Sequence, residues 1–413
     1  MRETSTDYRH PYRPRAIAIA NRVLSRLGSL QPSLTRDGSL RAETLLDAAS
    51  KRTGLRDFGP DDFREPLDVL LRSIEDEARL SPVGRAITVE RLTGVLANRL
   101  RAADASRSLG ADTLAPPVVI TGLQRTGTTL LHRLLSADPN RRWLASWEAL
   151  TPTPLGGWSL GREPRIVAAE RAERALQFLA PDFFAVHPVQ AHAPEEDVLL
   201  LDQSFRSTVP EATLRVPTYA AWIEQQDQRP AYDTLRRLLR LLSRQRGEGK
   251  RWVLKTPHHL EWLDDLFAVF PGARVVWTHR DPVTTVASFC SMIAHGRGVF
   301  SDDVDPHEIG RDWGRKVARM VDRAMDARTR HPDAFIDVAY GDLVADPMQQ
   351  IVRIYEALGE ELTDEAERRM RQMLESHGQH RFGKHRYRLE DFGLREDALR
   401  ERFAKYLARH IAP

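Results

Sequence analysis

PPVVITGLQRTGTTLLHRLLSADP, residues Pro116 to Pro139, decides the fold of this 413-residue chain. Val118, Val119 and Ile120 form a short β-branched run behind a double proline, and Gly122 follows, which predicts a buried strand ending in a tight turn. Small residues from Thr126 to Thr129 then open a helix, with Leu130, Leu131, Leu134 and Leu135 recurring at helical spacing until Asp138-Pro139 stops it. Strand, glycine loop and helix start, in this order, make an anion cradle. The first helical N–H groups lack acceptors within the helix, and the helix dipole adds positive potential at the same place.

Gly122 to Thr129 has the glycine spacing of a Walker A loop, but Thr128 stands where that motif needs lysine. A nucleotide triphosphatase uses that lysine on its phosphates and the next hydroxyl on magnesium. Here the nearby cation is Arg125, whose planar, bidentate fork suits an oxyanion that needs no metal. Two glycines alone would be a turn that starts a core helix. Strand, arginine and paired threonines together point to a binding loop.

Working outward, strands and helices alternate. Trp252 to Pro257 reads as a strand ending in a polar turn, followed by a helix from His258 to Phe270. Arg274 to Thr278 reads as another strand, with a helix after Pro282; Ala334 to Ala339 and Pro347 to Leu358 repeat the pair. The pattern predicts an α/β fold: a P-loop-type, doubly wound parallel sheet flanked by helices. Ligands bind such sheets outside the carboxyl ends of the strands, so the turns at 124–129, 255–258 and 279–282 converge on one crevice, with Glu148 within reach. Glu195, Glu196 and Asp197 read as the acidic first turn of a further helix, and the two glutamates could face an acceptor. Ahead of the cradle, residues 15–109 read as helices, giving an all-helical cap region at 1–110 before a main domain at 111–413.

On these residues the chain resembles the sulfotransferases that use 3′-phosphoadenosine 5′-phosphosulfate (PAPS), in their bacterial form. Their 5′-phosphosulfate loop is similar to Gln124, Arg125, Thr126, Gly127, Thr128 and Thr129. Their 3′-phosphate motif, an arginine after a strand and a serine eight positions on, is similar to Arg280 and Ser288. That spacing also has a physical sense, since a turn residue and one about two helical turns later can flank one anion. Read without the cradle, Arg280-Asp281-Pro282 is a helix cap.

The resemblance runs from about Pro116 to Phe392 and implies a metal-independent, in-line transfer of a sulfuryl group to a hydroxyl or amine, on a small-molecule or polymer acceptor. It implies that Lys255 touches the bridging or sulfuryl oxygen, and that Arg125 acts in catalysis as well as in binding. The cytosolic small-molecule enzymes carry a catalytic histidine two residues after that lysine. Here Pro257 takes the position, an arrangement closer to the tyrosylprotein enzymes, whose base is a glutamate shortly after the cradle helix. Glu148 or His258 is therefore the expected base. Tyr340 to Leu343 is similar to the family's late Tyr-Glu-Asp-Leu segment, and Lys384, within Arg381 to Tyr387, to its basic loop over the nucleotide.

Composition narrows the field. Charges nearly balance, 61 basic against 58 acidic residues for a net +3, so no overall field points to nucleic acid or an anionic membrane. A single cysteine, Cys290, excludes an intramolecular disulfide framework and fits a reducing compartment, where a buried structural thiol is expected. Nowhere do eighteen apolar residues run together and the first residues lack a signal-peptide core, so the expectation is cytoplasmic with no membrane span. Arg9 to Arg15 reads as a solvated basic arm and not as a membrane anchor. His187 and His192, five apart across prolines, have no defined ligand geometry, and no metal is expected. The competing readings are a P-loop small-molecule kinase, which needs a loop lysine and a magnesium carboxylate, and a non-catalytic nucleotide-binding or scaffold protein. Oligomeric state and acceptor identity have no code in these spacings.

Overall fold

A computed structural model of the chain describes residues 4–30, 38–111, 114–155, 161–247, 249–376 and 387–411. Its centre is a parallel five-stranded sheet of β1 (Val118–Gly122), β2 (Arg141–Trp143), β3 (Arg251–Lys255), β4 (Arg274–His279) and β5 (Phe335–Ala339), in the order β2-β3-β1-β4-β5. Val119 pairs with Leu254 on one side and Val275 on the other. The chain lays β2 and β3 on one flank of β1 and β4 and β5 on the other, so the strand order reverses at β1 and opens a crevice at its carboxyl end.

Alternation along the strands sorts the core into two layers. Val118, Ile120, Val253, Val276, Ile336 and Val338 face one layer with Leu131, Leu134 and Leu135 of the cradle helix. Val119, Trp252, Leu254, Val275 and Trp277 face the other. Both faces are covered, which is why these strands read as continuous apolar runs. The second layer also takes in Leu45 of α2 (Ala42–Thr53), Leu70 of α3 (Arg64–Glu77) and Leu92, Leu96 and Leu100 of α4 (Pro82–Ser106), front helices that follow α1 (Arg15–Leu30) in the chain. Ser81 caps α4, its hydroxyl accepting from the Gly84 N–H at 3.1 Å.

Three elements differ from the sequence reading. The edge strand β2 carries two arginines in three residues and so had no apolar signal; it is held by backbone pairing with β3 and by Arg142, whose guanidinium lies 5.8 Å from the Trp252 ring. The expected helix from His258 to Phe270 is split into a 3₁₀ turn, Pro257–Glu261, and a helix, Leu263–Val269. Trp262 breaks it by leaving helical backbone angles, its ring packed 4.4 Å from that of His258. Finally, Glu195 and Glu196 precede their helix, Val198–Leu201, because Pro194 forms a bridge with Ala145 and keeps the chain extended.

Candidate active site

β1 delivers the cradle. Gly122 passes so close to β4 that an added Cβ would lie 2.1 Å from Thr278 Oγ1, and Gly127, at φ +88, would put one 2.7 Å from Leu343. Neither position has room for a side chain, and Gly127 also holds a left-handed conformation that favours glycine. Thr126 is buried, its hydroxyl donating to the Leu123 carbonyl at 2.5 Å and lying 2.6 Å from the Thr278 hydroxyl. The loop is thus riveted to the end of β4 while α5 (Thr128–Ser136) begins, with its first amides lacking acceptors within the helix. Arg125 sits at the exposed rim with φ +69, a strained angle for a non-glycine residue. Gln124 Oε1 is buried without a hydrogen-bond partner, Thr128 is buried and Thr129 exposed.

β4 supplies the second turn. Arg280 lies over the Tyr340 ring at 4.1 Å and donates from Nη1 to the Arg125 carbonyl at 2.8 Å, joining the two arginine turns. Asp281 caps the following helix, Pro282–Phe300, by accepting from the Val283 N–H at 2.9 Å, so the cap reading is correct for Asp281 while Arg280 reaches across to the cradle. Ser288 is buried on that helix. Behind the turn, the Tyr406 hydroxyl bonds the Arg280 backbone amide and lies 3.0 Å from His279 Nδ1.

β3 supplies the third. Lys255 is buried, and its Nζ donates to Glu196 Oε1 at 2.6 Å, while the Thr256 hydroxyl donates to Glu196 Oε2 at 3.2 Å. Burial pushes the Glu196 carboxyl up, but Lys255, His187 and the two hydrogen bonds outweigh it and hold the group below its ordinary value. Asp197, the next residue, accepts the Lys255 backbone N–H at 2.8 Å and lies 3.0 Å from His259 Nε2, whose Nδ1 meets the Tyr232 hydroxyl at 3.0 Å. This buried row fixes the backbone at the end of β3.

The two expected bases are differently engaged. Glu148 is fully buried in α6 (Ser146–Leu150), where its Oε2 accepts the Ala145 N–H at 3.0 Å and pairs with Arg246 at 2.9 Å. Burial raises its carboxyl against the pull of Ala145, Arg246 and Arg165. Its Oε2 is thus held to its own helix start, while its buried Oε1 has no hydrogen-bond partner. His258 is also buried, with Nδ1 3.3 Å from the Thr208 hydroxyl and Nε2 unpartnered; burial, His259 and Lys316 push it well below the ordinary histidine value. Lys384 lies outside the described residues. The sequence does not single out Asp197 or Tyr340 as site residues, and it offers Glu196, with Glu195, as a glutamate that could face an acceptor and as the next candidate for the base after Glu148 and His258. The signal available was the run Glu195-Glu196-Asp197 ahead of an apolar stretch.

Among the described residues one group, His279, Asp337 and His410, brings candidate ligand atoms within 4.8 Å of one another. The two imidazoles stack face to face, 4.2 Å apart and 6° from parallel, so their in-plane lone pairs do not converge. Asp337 is already bonded to His279 and Arg328. The group reads as a hydrogen-bonded strut.

Residues 116–364 match the sulfotransferase family. The chain belongs to the sulfotransferase family. Two curated relatives, the omega-hydroxy-beta-dihydromenaquinone-9 sulfotransferases Stf3 of Mycobacterium bovis and Mycobacterium tuberculosis, are each 27% identical over 260 residues. That match spans 59% of this chain and 63% of the relatives' length. Among solved structures, sulfotransferase STF1 from Mycobacterium tuberculosis H37Rv is 35% identical with a TM-score of 0.74, covering 88% of this chain and 98% of that one. Sulfotransferase STF9 from Mycobacterium avium is 30% identical with a TM-score of 0.79, covering 90% and 97%. The α/β fold with its parallel sheet is therefore the fold of bacterial sulfotransferases, and the family match covers all three strand-end turns.

Proposed function

We propose that the protein is a sulfotransferase that moves a sulfuryl group in line from PAPS to an acceptor hydroxyl, without a metal. The observation that carries this reading is the union of the two arginine turns, in which Arg280 reaches across the mouth to the Arg125 carbonyl beside a loop too tight for any side chain at Gly122 and Gly127. The cradle amides, Arg125, Thr128 and Thr129 hold the 5′-phosphosulfate; Arg280 and Ser288 select the 3′-phosphate. PAPS, when bound, supplies the sulfuryl group and the departing phosphate oxygen. Such transfers gain mainly from positioning and from charge stabilisation, and Lys255 places an ammonium for the departing oxygen.

Glu196 takes the role of base. Lys255 is the main influence lowering its carboxyl, so engaging that ammonium elsewhere removes the cause and leaves a stronger base at the moment a proton must be accepted. His258 and Glu148 serve structure. The acceptor is an alcohol of the kind named for the curated relatives, a hydroxyl on an apolar quinone derivative. The compartment is the cytoplasm, in keeping with a lone, buried Cys290 whose thiol burial pushes up to about 12.

Thermal shift tests the donor. The product nucleotide, 3′-phosphoadenosine 5′-phosphate (PAP), at about 100-fold over its dissociation constant should add about 2.7 kcal/mol with chelator present. ATP with magnesium should do much less; the reverse ranking would turn the reading to a kinase.

A further inference from the structure

The outward face of α1 is apolar, and nothing in the reaction uses it. Ile19, Val23 and Leu24 are 61%, 49% and 47% exposed, and Tyr12, just ahead of the helix, is 42% exposed. These are four of the eight large exposed apolar side chains among the described residues, gathered on one short stretch. At about 100° per residue, Ile19, Val23, Ala16, Ala20 and Leu24 form one continuous arc. The side turned to the protein holds a polar anchor between the partly buried Ile17 and Ala18: Asn21 is buried, accepts the Val83 N–H at 3.1 Å and donates to Asp302 at 3.3 Å. Arg13 anchors the same end, bonding Asp302 at 2.9 Å and the Ser301 carbonyl at 2.9 Å. The expected solvated arm is thus a strut, and the helix behind it is mounted with its hydrophobic side out.

Charge identifies what covers that side. RAIAIANRVLSRLGSL contains three arginines and no carboxylate. Arg22, Arg15 and Arg26 fall together on the flank of the arc next to Ile19, and all three are exposed. A second copy laid antiparallel on this face would bring the two arginine flanks together, with no carboxylate on the helix to offset them. An anionic phospholipid surface satisfies both halves: phosphates meet the arginines, and the acyl boundary takes the apolar arc. No helix of the described residues is long and apolar enough to cross a membrane, so the contact is one of lying on the surface.

We propose that α1 is an interfacial helix that seats the protein on an anionic bilayer surface. The inference rests on the surface of α1, independently of the donor reading, and gives that reading a route to an acceptor dissolved in lipid.

Sedimentation of the full chain with phosphatidylcholine vesicles, with and without phosphatidylglycerol, tests it. Binding is expected to the mixed vesicles and to weaken with salt. Ile19→Glu/Val23→Glu and Arg15→Glu/Arg22→Glu should each lower the partition coefficient about tenfold or more. Both pairs are exposed, so thermal midpoint and PAP stabilisation should stay at wild-type values, separating this result from any failure of the donor site. Absence of binding to mixed vesicles, or undiminished binding of Ile19→Glu/Val23→Glu, overturns the proposal. A wild-type dimer in sedimentation equilibrium that this variant dissolves into monomers also overturns it, assigning the face to a second copy.

Discussion

Two carboxylates, each paired with a cation, stand on either side of the Ala145–Pro194 bridge, and they are opposites. Glu148 with Arg246 is sealed: the acid is fully buried, its oxygen caps its own helix, and burial raises its carboxyl. Glu196 with Lys255 is open in its placement, beside the end of β3 among the strand-end turns: its carboxyl is partly exposed, and the buried Lys255 ammonium helps hold it below its ordinary value. In this reading the sealed acid serves the fold, because moving its carboxylate off Ala145 and Arg246 would leave a buried charge without partners. In the proposed reaction the open pair exchanges partners, since Lys255 is the ammonium assigned there to the departing oxygen. On the proposed roles, location relative to the strand ends, more than residue type or distance along the chain, separates the structural acid from the reactive one.

The sharpest way to break this contrast is Glu196→Gln. Turnover should fall about 10² to 10⁴, with PAP affinity within a few-fold, because proton removal belongs to transfer and not to donor binding. Initial rates with labelled PAPS and a screened alcohol, beside PAP titration, give both numbers. Wild-type turnover in a folded Glu196→Gln protein would return the role of base to Glu148 or His258.

Arg280→Ala probes the far side of the open corner. Losing a charge-assisted contact of about 1.5–3 kcal/mol should cut the preference for PAP over AMP about 10- to 100-fold. Arg125→Ala should weaken both nucleotides alike. Calorimetric titration of the two ligands decides; an unchanged ratio would leave Arg280 as a strut between Tyr340 and the Arg125 carbonyl.

The open corner was largely legible in the sequence, and the sealed one was not. Gly122 and Gly127 had to be glycine because backbone and neighbours leave no room, and such positions leave a trace in local sequence. Tyr340 to Leu343 was legible as a late segment, and the structure shows it packing on Arg280 and against Gly127. The parallel sheet followed from apolar runs buried on both faces. By contrast, the partner of Glu148 is Arg246, 98 positions away, and the partner of Glu196 is Lys255, 59 positions away. Long-range pairing of this kind has no local period, so the distance of Glu148 after the cradle helix does not reveal which cation it meets. β2 was missed for the same reason, since its stability comes from β3 and its residues are arginines.

A smaller effect is expected at Tyr406, which ties the open corner to the C-terminal helix Ala404–His410. Tyr406→Phe removes the hydroxyl that bonds the Arg280 amide and His279, and PAP affinity should drop about 2- to 10-fold, in line with a neutral hydrogen bond of about 0.5–1.5 kcal/mol. Unchanged affinity would show that the turn holds its shape through Tyr340 and the cradle alone.

The smallest effect should come from Glu148→Gln, and it sharpens the comparison most. The amide oxygen of glutamine can still accept the Ala145 N–H, and the lost ion pair reaches a half-exposed Arg246, so the change in stability at neutral pH should stay within about 1 kcal/mol. Turnover should stay near wild type. The pH dependence carries the sign. A carboxyl raised in the folded state contributes stability below its unfolded value, and this is lost as pH rises through the folded one. Wild type should therefore lose ground to Glu148→Gln on going from acid to neutral. Glu196 is lowered, so its contribution is present above the unfolded value and lost as pH falls through the folded one. Wild type should lose ground to Glu196→Gln on acidification. Urea unfolding of the three proteins across the ordinary carboxylate range should give two slopes of opposite sign, that of Glu196 on its acid side and that of Glu148 on its neutral side. Slopes of the same sign would show that the two corners share one electrostatic character, and a large loss of turnover in Glu148→Gln would make the sealed acid the working one.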